Sequence, residues 1–97
     1  MRYEIILAPE AVRDLKELKA NLRSEVRDAI EEHLRHQPTK TSRSRIKRLR
    51  GLSRPQFRLR VGETRVFYDV LGTEVQVLAI VAKSGAEGWL RRSGEPT

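Results

Sequence analysis

Three arginines stand at alternating positions in a stretch whose neighbours alternate as well. In Gln56–Val61 (QFRLRV), Arg58 and Arg60 are interleaved with Phe57, Leu59 and Val61; in Thr64–Leu71 (TRVFYDVL), Arg65 precedes Val66 and Phe67. A guanidinium carries a permanent charge and a planar fork of N–H donors that fits two oxygens of a phosphate or carboxylate. Arginines brought to one spot therefore make an oxyanion clamp. Strict alternation is the strand pattern, and Gly62-Glu63 between the runs has the glycine-first composition of a two-residue hairpin turn. Closing the hairpin there predicts Val61 opposite Thr64, Arg60 opposite Arg65, Leu59 opposite Val66, Arg58 opposite Phe67 and Phe57 opposite Tyr68. One face then carries Phe57, Leu59, Val61, Val66 and Tyr68 towards the core, while Arg58, Arg60, Arg65 and Phe67 share the exposed other face. Directly opposed like charges destabilise a strand pair, so the Arg60–Arg65 pair is expected to hold an anion. Phe67 would add a ring on which a base can stack.

The approach to this hairpin is basic too. Between Lys40 and Arg65 there are ten Lys and Arg residues opposed only by Glu63, whereas both ends of the chain are nearly neutral. The whole chain has 20 Lys and Arg against 13 Asp and Glu, a formal charge of +7. So local an excess points to a polyanion such as nucleic acid. Pro38–Pro55 (PTKTSRSRIKRLRGLSRP) reads as a loop, long for so small a chain, with Ile46, Leu49 and Leu52 pinning it to the core. Lys47, Arg48, Arg50 and Arg54 are then exposed and available to phosphates. The competing reading is an arginine-rich solvated face, or a dock for an acidic partner.

Other chemistry has little to build on. The chain has no cysteine, which excludes disulfides, thiolate metal sites and a cysteine nucleophile. His33 and His36 lie three apart at the end of a helical segment with no third ligand set by a motif, and read as solvated helix-end residues. No metal or cofactor is expected, and no glycine-rich phosphate loop or nucleophile elbow is present. Tyr68 points to the core by the same alternation that exposes Arg65. Trp89, the single tryptophan, reads as a stacking residue or as a core or partner-docking anchor.

The elements that position these residues follow from periodicity. Arg2–Leu7 (RYEIIL) is a strand that stops at Ala8-Pro9. Pro9–Lys19 is a helix with Val12, Leu15 and Leu18 at spacing three, and a second helix runs from Leu22 to Pro38, with Asn21 as its N-cap. After the basic loop and the hairpin, Glu74–Ala82 (EVQVLAIVA) is apolar on both faces and so central in a sheet. Lys83–Arg92 is a short final helix, and Ser93–Thr97 is expected to fray. The fold class is α+β, one domain over residues 1–97: a strand, a helical hairpin, three antiparallel strands and a short C-terminal helix. No apolar run approaches the roughly 20 residues that cross a bilayer, and the first residues lack a secretory pattern, so a cytoplasmic location without membrane contact is expected.

This order of elements resembles the RelE/ParE superfamily of bacterial toxins from type II toxin–antitoxin pairs. The most specific stretch runs from Leu49-Arg50-Gly51 through Phe57-Arg58-Leu59-Arg60 and Thr64-Arg65-Val66-Phe67-Tyr68 to Val81-Ala82-Lys83 and Trp89-Leu90. In the RelE-like branch, basic residues on these strands hold mRNA on the ribosome, assist attack of a 2′-hydroxyl on the neighbouring phosphate and stabilise the leaving oxygen. The resemblance implies that Arg58 and Arg60 match the basic pair of the first central strand and Arg65 the arginine of the next. Lys83 followed by Ser84, and Trp89, stand where that branch keeps an arginine and a tyrosine; Lys83 is then a catalytic residue and Trp89 an RNA contact. The resemblance further implies a cognate antitoxin and no cofactor. The ParE branch shares the scaffold but poisons DNA gyrase without cutting RNA. That activity, or plain RNA binding, is the alternative.

Overall fold

Proline at position 9 separates the first strand from the first helix. In the computed structural model, which describes Met1–Thr97, β1 (Glu4–Leu7) ends at Ala8, and Pro9 takes the first position of α1 (Pro9–Glu17), where a missing N–H forfeits no bond. α1 stops two residues short of the expected Lys19. Arg23 reaches back from the next helix and donates to the Leu15, Lys16 and Leu18 carbonyls at 3.2, 3.2 and 2.8 Å, satisfying groups that a longer helix would have used. The chain therefore turns at Leu18–Lys19. The N-cap of α2 (Ala20–Leu34) is Lys19 rather than Asn21, and α2 buries Val26, Ile30 and Leu34.

The stretch read as an open loop contains two short strands, β2 (Ile46–Arg48) and β3 (Leu52–Arg54). β4 (Phe57–Val61), β5 (Thr64–Leu71), β6 (Glu74–Ala82) and α3 (Lys83–Ser93) then follow the expected order. The tail does not fray. Glu95–Pro96 forms β7 and pairs with β3, supported by the Ser53 hydroxyl on the Glu95 carbonyl at 3.0 Å.

The main sheet has five strands in the order β1-β6-β5-β4-β2, with β1 parallel to β6 and the other pairs antiparallel. The β4–β5 register is the one read from alternation, Arg60 facing Arg65 and Arg58 facing Phe67, closed over Gly62 at φ +58°. The β5–β6 register slips once: Phe67 faces Ala79 but Tyr68 faces Val77, leaving Leu78 as an extra residue. That bulge lets Val75, Val77 and Ile80 all join the core although their numbers differ in parity. β6 also runs past the end of β1, and Asp14 of α1 accepts the Ile80 N–H at 2.9 Å.

Two apolar clusters use the two faces of this sheet. α1 and α2 cover one face, packing Ala11, Val26, Ile30 and Leu34 on Leu59, Val66, Tyr68 and Val77. On the opposite face α3 covers only the β5–β6 side, where Trp89 closes over Phe67 and Ala79. The β4 side of that face stays open.

Candidate functional site

Pairing across β2, β4 and β5 puts Lys47 opposite Arg58 and Arg60 opposite Arg65, so all four leave the sheet on its open face. Lys47 and Arg60 are exposed, Arg58 is half-buried, and Arg65 is 8% exposed. Arg65 turns its Nη1 back onto the hairpin turn, donating to the Gly62 and Thr64 carbonyls at 2.9 and 3.1 Å. Its position corrects the expectation of an exposed side chain: the guanidinium folds back onto the turn, while the face is the expected one.

No carboxylate neutralises this group. The protein's ion pairs join His33 to Glu32, Arg35 to Glu31 and Arg54 to Asp69, and none of them includes Arg58, Arg60 or Arg65. The buried Nε of Arg58 has no hydrogen-bond partner. Burial first, and then the neighbouring Arg65 and Arg60 guanidinium groups, pull Arg58 below the usual arginine range. Three guanidinium groups thus converge with donors to spare. An oxyanion placed among them relieves the repulsion and satisfies the donors together.

Several expected site residues sit elsewhere. Phe67 shares the face of Arg58, but its exposure is 1%; Trp89, itself 6% exposed, stacks on it with centroids 5.0 Å apart and planes 5° from parallel. Neither ring offers a free face to a base. Trp89 donates from Nε1 to Glu10 Oε2 at 2.7 Å, tying α3 to α1, so of the two readings of this residue the core anchor is the observed one. Arg48 leaves β2 towards the helical side and lies over the Phe57 ring, 5.1 Å from its centroid. Arg54 pairs with the buried Asp69 at 3.3 Å, away from the cluster. Arg50 is exposed between β2 and β3, beside Gly51 at φ +76°, with no protein partner.

Lys83 opens α3 and is exposed. Its N–H donates to the Glu63 carbonyl at 2.8 Å, which sets it beside the β4–β5 turn, at the end of the sheet that carries Arg60 and Arg65. Glu63, Ser84 and Glu87 share an open depression with it. Tyr68 is buried on the opposite face and donates to the Pro38 carbonyl at 2.6 Å, and burial pushes its hydroxyl far above the usual tyrosine range. His33 and His36 remain at the end of α2.

One residue of the face was not singled out in the sequence. The Arg45 carbonyl accepts the Arg60 N–H at 2.9 Å, and its Nη1 donates to the Arg60 carbonyl at 3.3 Å. Arg45 and Lys47 alternate as Arg58 and Arg60 do, and that local pattern was the available signal. No group of three or more metal-ligating side chains comes together, and no helix is long and apolar enough to cross a membrane.

A half-covered sheet over a helical hairpin is the fold of solved RelE toxins. The fold recurs in the RelB–RelE antitoxin–toxin complex of Methanococcus jannaschii (21% identity, 87% of this chain and 96% of that one, TM-score 0.67). It recurs in the toxin–antitoxin complex RelBE2 of Mycobacterium tuberculosis (24%, 84% and 92%, 0.70). The free E. coli RelE toxin carrying two arginine-to-alanine substitutions shares it too (19%, 96% and 99%, 0.70). The model of the ParE toxin of type II toxin–antitoxin systems (parDE) matches residues 5–85, and the chain belongs to that family, within the RelE/ParE superfamily. Comparison with curated proteins gives no match.

Proposed function

We propose that this toxin acts on RNA, as a ribosome-dependent mRNA endonuclease whose Arg58, Arg60 and Arg65 hold the phosphate that is cut. The observation that carries this reading is the uncompensated guanidinium cluster, with the Arg58 Nε left without an acceptor. In such a reaction the 2′-hydroxyl of one nucleotide loses its proton and attacks the adjacent phosphorus. The bond to the 5′-oxygen breaks, that oxygen takes up a proton, and a 2′,3′-cyclic phosphate remains. Negative charge builds on the non-bridging oxygens in between, where fixed donors act most strongly, each typically worth about 10² to 10³ in rate. Lys83 and Lys47 are the side chains of the face able to carry protons; no phenol or imidazole stands there. Lys47 and Arg45 extend the phosphate-binding strip along β2, with Arg50 beyond it. The partner implied by the family is a cognate antitoxin whose acidic or amphipathic segment covers this face in the resting pair.

A second reading is inhibition of DNA gyrase without RNA cleavage. The matched family model and the burial of Trp89, which removes the aromatic group nearest to the RelE-like arrangement, favour it. Primer extension on total RNA after brief induction separates the two. New breaks within translated frames support cleavage; intact mRNA with a DNA-damage response and inhibited supercoiling supports gyrase. Soluble protein that binds RNA yet leaves growth normal would indicate a binding module and refute both.

A further inference from the structure

At the β2 edge of the sheet, where Arg45 is bonded to the Arg60 backbone, the α2 side carries a cleft that the cleavage chemistry does not use. It lies between the C-terminal end of α2 and the segment leading into β2, holds about 330 Å³, and is lined by His33, His36, Lys40, Thr41, Ser42 and Arg45. That volume is at the lower end of small-ligand sites. The lining is polar throughout except for Ile46, which is spent on the core at 4% exposure.

Three details say what would fit. The Ser42 Oγ accepts the Arg45 and Ile46 N–H groups at 2.9 and 3.2 Å, so its lone pairs are engaged and its proton is free to donate. Lys40 pairs with no carboxylate, and Arg45 uses only Nη1, on the Arg60 carbonyl. Glu32 is the single acid of the cleft, and it is engaged by His33 Nε2 at 2.9 Å. Cationic donors thus stand beside the Gln37 amide, the Thr41 hydroxyl and His36 Nε2, and a hydrophilic ligand that carries anionic oxygens together with hydroxyls is the complement. The carbonyl end of α2 works weakly against an anion, and Lys40 and Arg45 outweigh it. An amphipathic peptide would find no apolar pocket here.

Resting on the RNA reading above, we infer that this cleft is a second subsite, which takes the phosphate and ribose of a nucleotide flanking the one held by Arg58, Arg60 and Arg65. Arg45 joins the two sites, lining the cleft while bonded to the backbone of Arg60. Strand spacing puts the cleft edge about two strand widths, roughly 10 Å, from Arg65. A strand crossing from β5 over β4 thus arrives at Arg45 and Lys40 after leaving the cluster.

Binding of 2′-O-methyl oligonucleotides, which cannot be cut, tests this with the purified chain. A dinucleotide, with a single internucleotide phosphate, fills the arginine cluster alone; a nonanucleotide reaches the cleft. The Lys40→Ala variant should bind the nonanucleotide about fivefold more weakly and the dinucleotide within twofold of the wild type. The slope of log affinity against log salt should fall by roughly 0.7 for each phosphate that is no longer neutralised. Equal weakening on both lengths, or none on either, overturns the subsite while leaving the arginine cluster standing. Failure of the wild type to bind either length, with Arg60→Ala no different, overturns the cluster and the subsite together. Unchanged RNA binding with weakened binding of the antitoxin would make the cleft a protein dock and overturn the inference.

Discussion

Arg58→Met should stabilise the fold and abolish the toxin. Arg58 faces three like charges, Lys47 directly opposite on β2, Arg60 on its own strand and Arg65 diagonally across the hairpin, and carries a buried Nε with no acceptor. Opposed like charges cost about 0.2–1 kcal/mol per pair, and an unsatisfied buried donor about 1–3 kcal/mol. Because Arg58 is only half-buried, solvent screens much of this, and a net gain of about 1 kcal/mol is the expected remainder. Methionine keeps the apolar stem that packs on the sheet. For a chain of this length 1 kcal/mol corresponds to about 4–8 °C in Tm, readily measured by thermal unfolding at low salt. Raising ionic strength from 0.1 to 1 M shortens the screening length from about 10 to 3 Å, so the wild type should close part of the gap. Inorganic phosphate should raise the Tm of the wild type more than that of the variant. Induction of Arg58→Met should no longer arrest growth. A variant that melts at or below the wild type in low salt, with no dependence on salt or phosphate, would refute the account of this face as a strained anion site.

Other expectations test the neighbouring groups. Trp89→Phe keeps the ring over Phe67 but loses the bond to Glu10, a charged acceptor; a loss of about 1.5–3 kcal/mol in urea unfolding is expected, with RNA affinity unchanged. Tyr68→Phe strands the Pro38 carbonyl and should cost about 1–2 kcal/mol, again without effect on RNA, since it lies on the helical face. Burial raises the Asp14 carboxyl above its usual range, so the folded state holds that proton more tightly than the unfolded chain does, and this contribution to stability is lost as pH rises from the ordinary carboxylate value through the raised one. Asp14→Asn, which can still accept the Ile80 N–H, should therefore gain stability over the wild type at neutral pH and lose that advantage near pH 3, as read from urea midpoints. Arg60→Ala should relieve growth arrest while leaving the Tm nearly unchanged, because Arg60 is exposed; arrest that persists would remove Arg60 from the site.

The sequence carried the hairpin register in full, because glycine in the turn and strict alternation leave one way to pair β4 with β5. It did not carry β2, β3 or β7, whose two or three residues are too short for any period to show. Phe67 marks a different limit. Alternation gave its face correctly but not its cover, which comes from α3, remote in the chain. The apolar character of Ala79 and Val81 on that same face was the available sign that something packs there, since β6 was read as apolar on both sides. Arg48 and Arg54 are exposed as expected, but their partners were not legible: without β2 as a strand there was no parity to separate Lys47 from Arg48, and the carboxylate that pairs with Arg54 lies 15 residues further on. The slip at Leu78 is equally silent in the sequence, and it shows only as buried residues of both parities.

The parallel pairing of β1 with β6 governs when this surface can exist. It joins residues 4–7 to residues 74–77, the longest strand-to-strand reach in the molecule, and β6, the strand that links β1 to the rest of the sheet, is synthesised only after three-quarters of the chain. The β4–β5 hairpin can close locally on emerging, but the helical hairpin has no complete sheet to pack on and Trp89 has not yet been made to cover Phe67. Assembly is thus weighted towards non-local contacts, the slow end of the range for domains of this size. During that delay the arginine strands are present as a hairpin without a floor, so a chain interrupted before β6 carries the charges of the toxin but not its geometry.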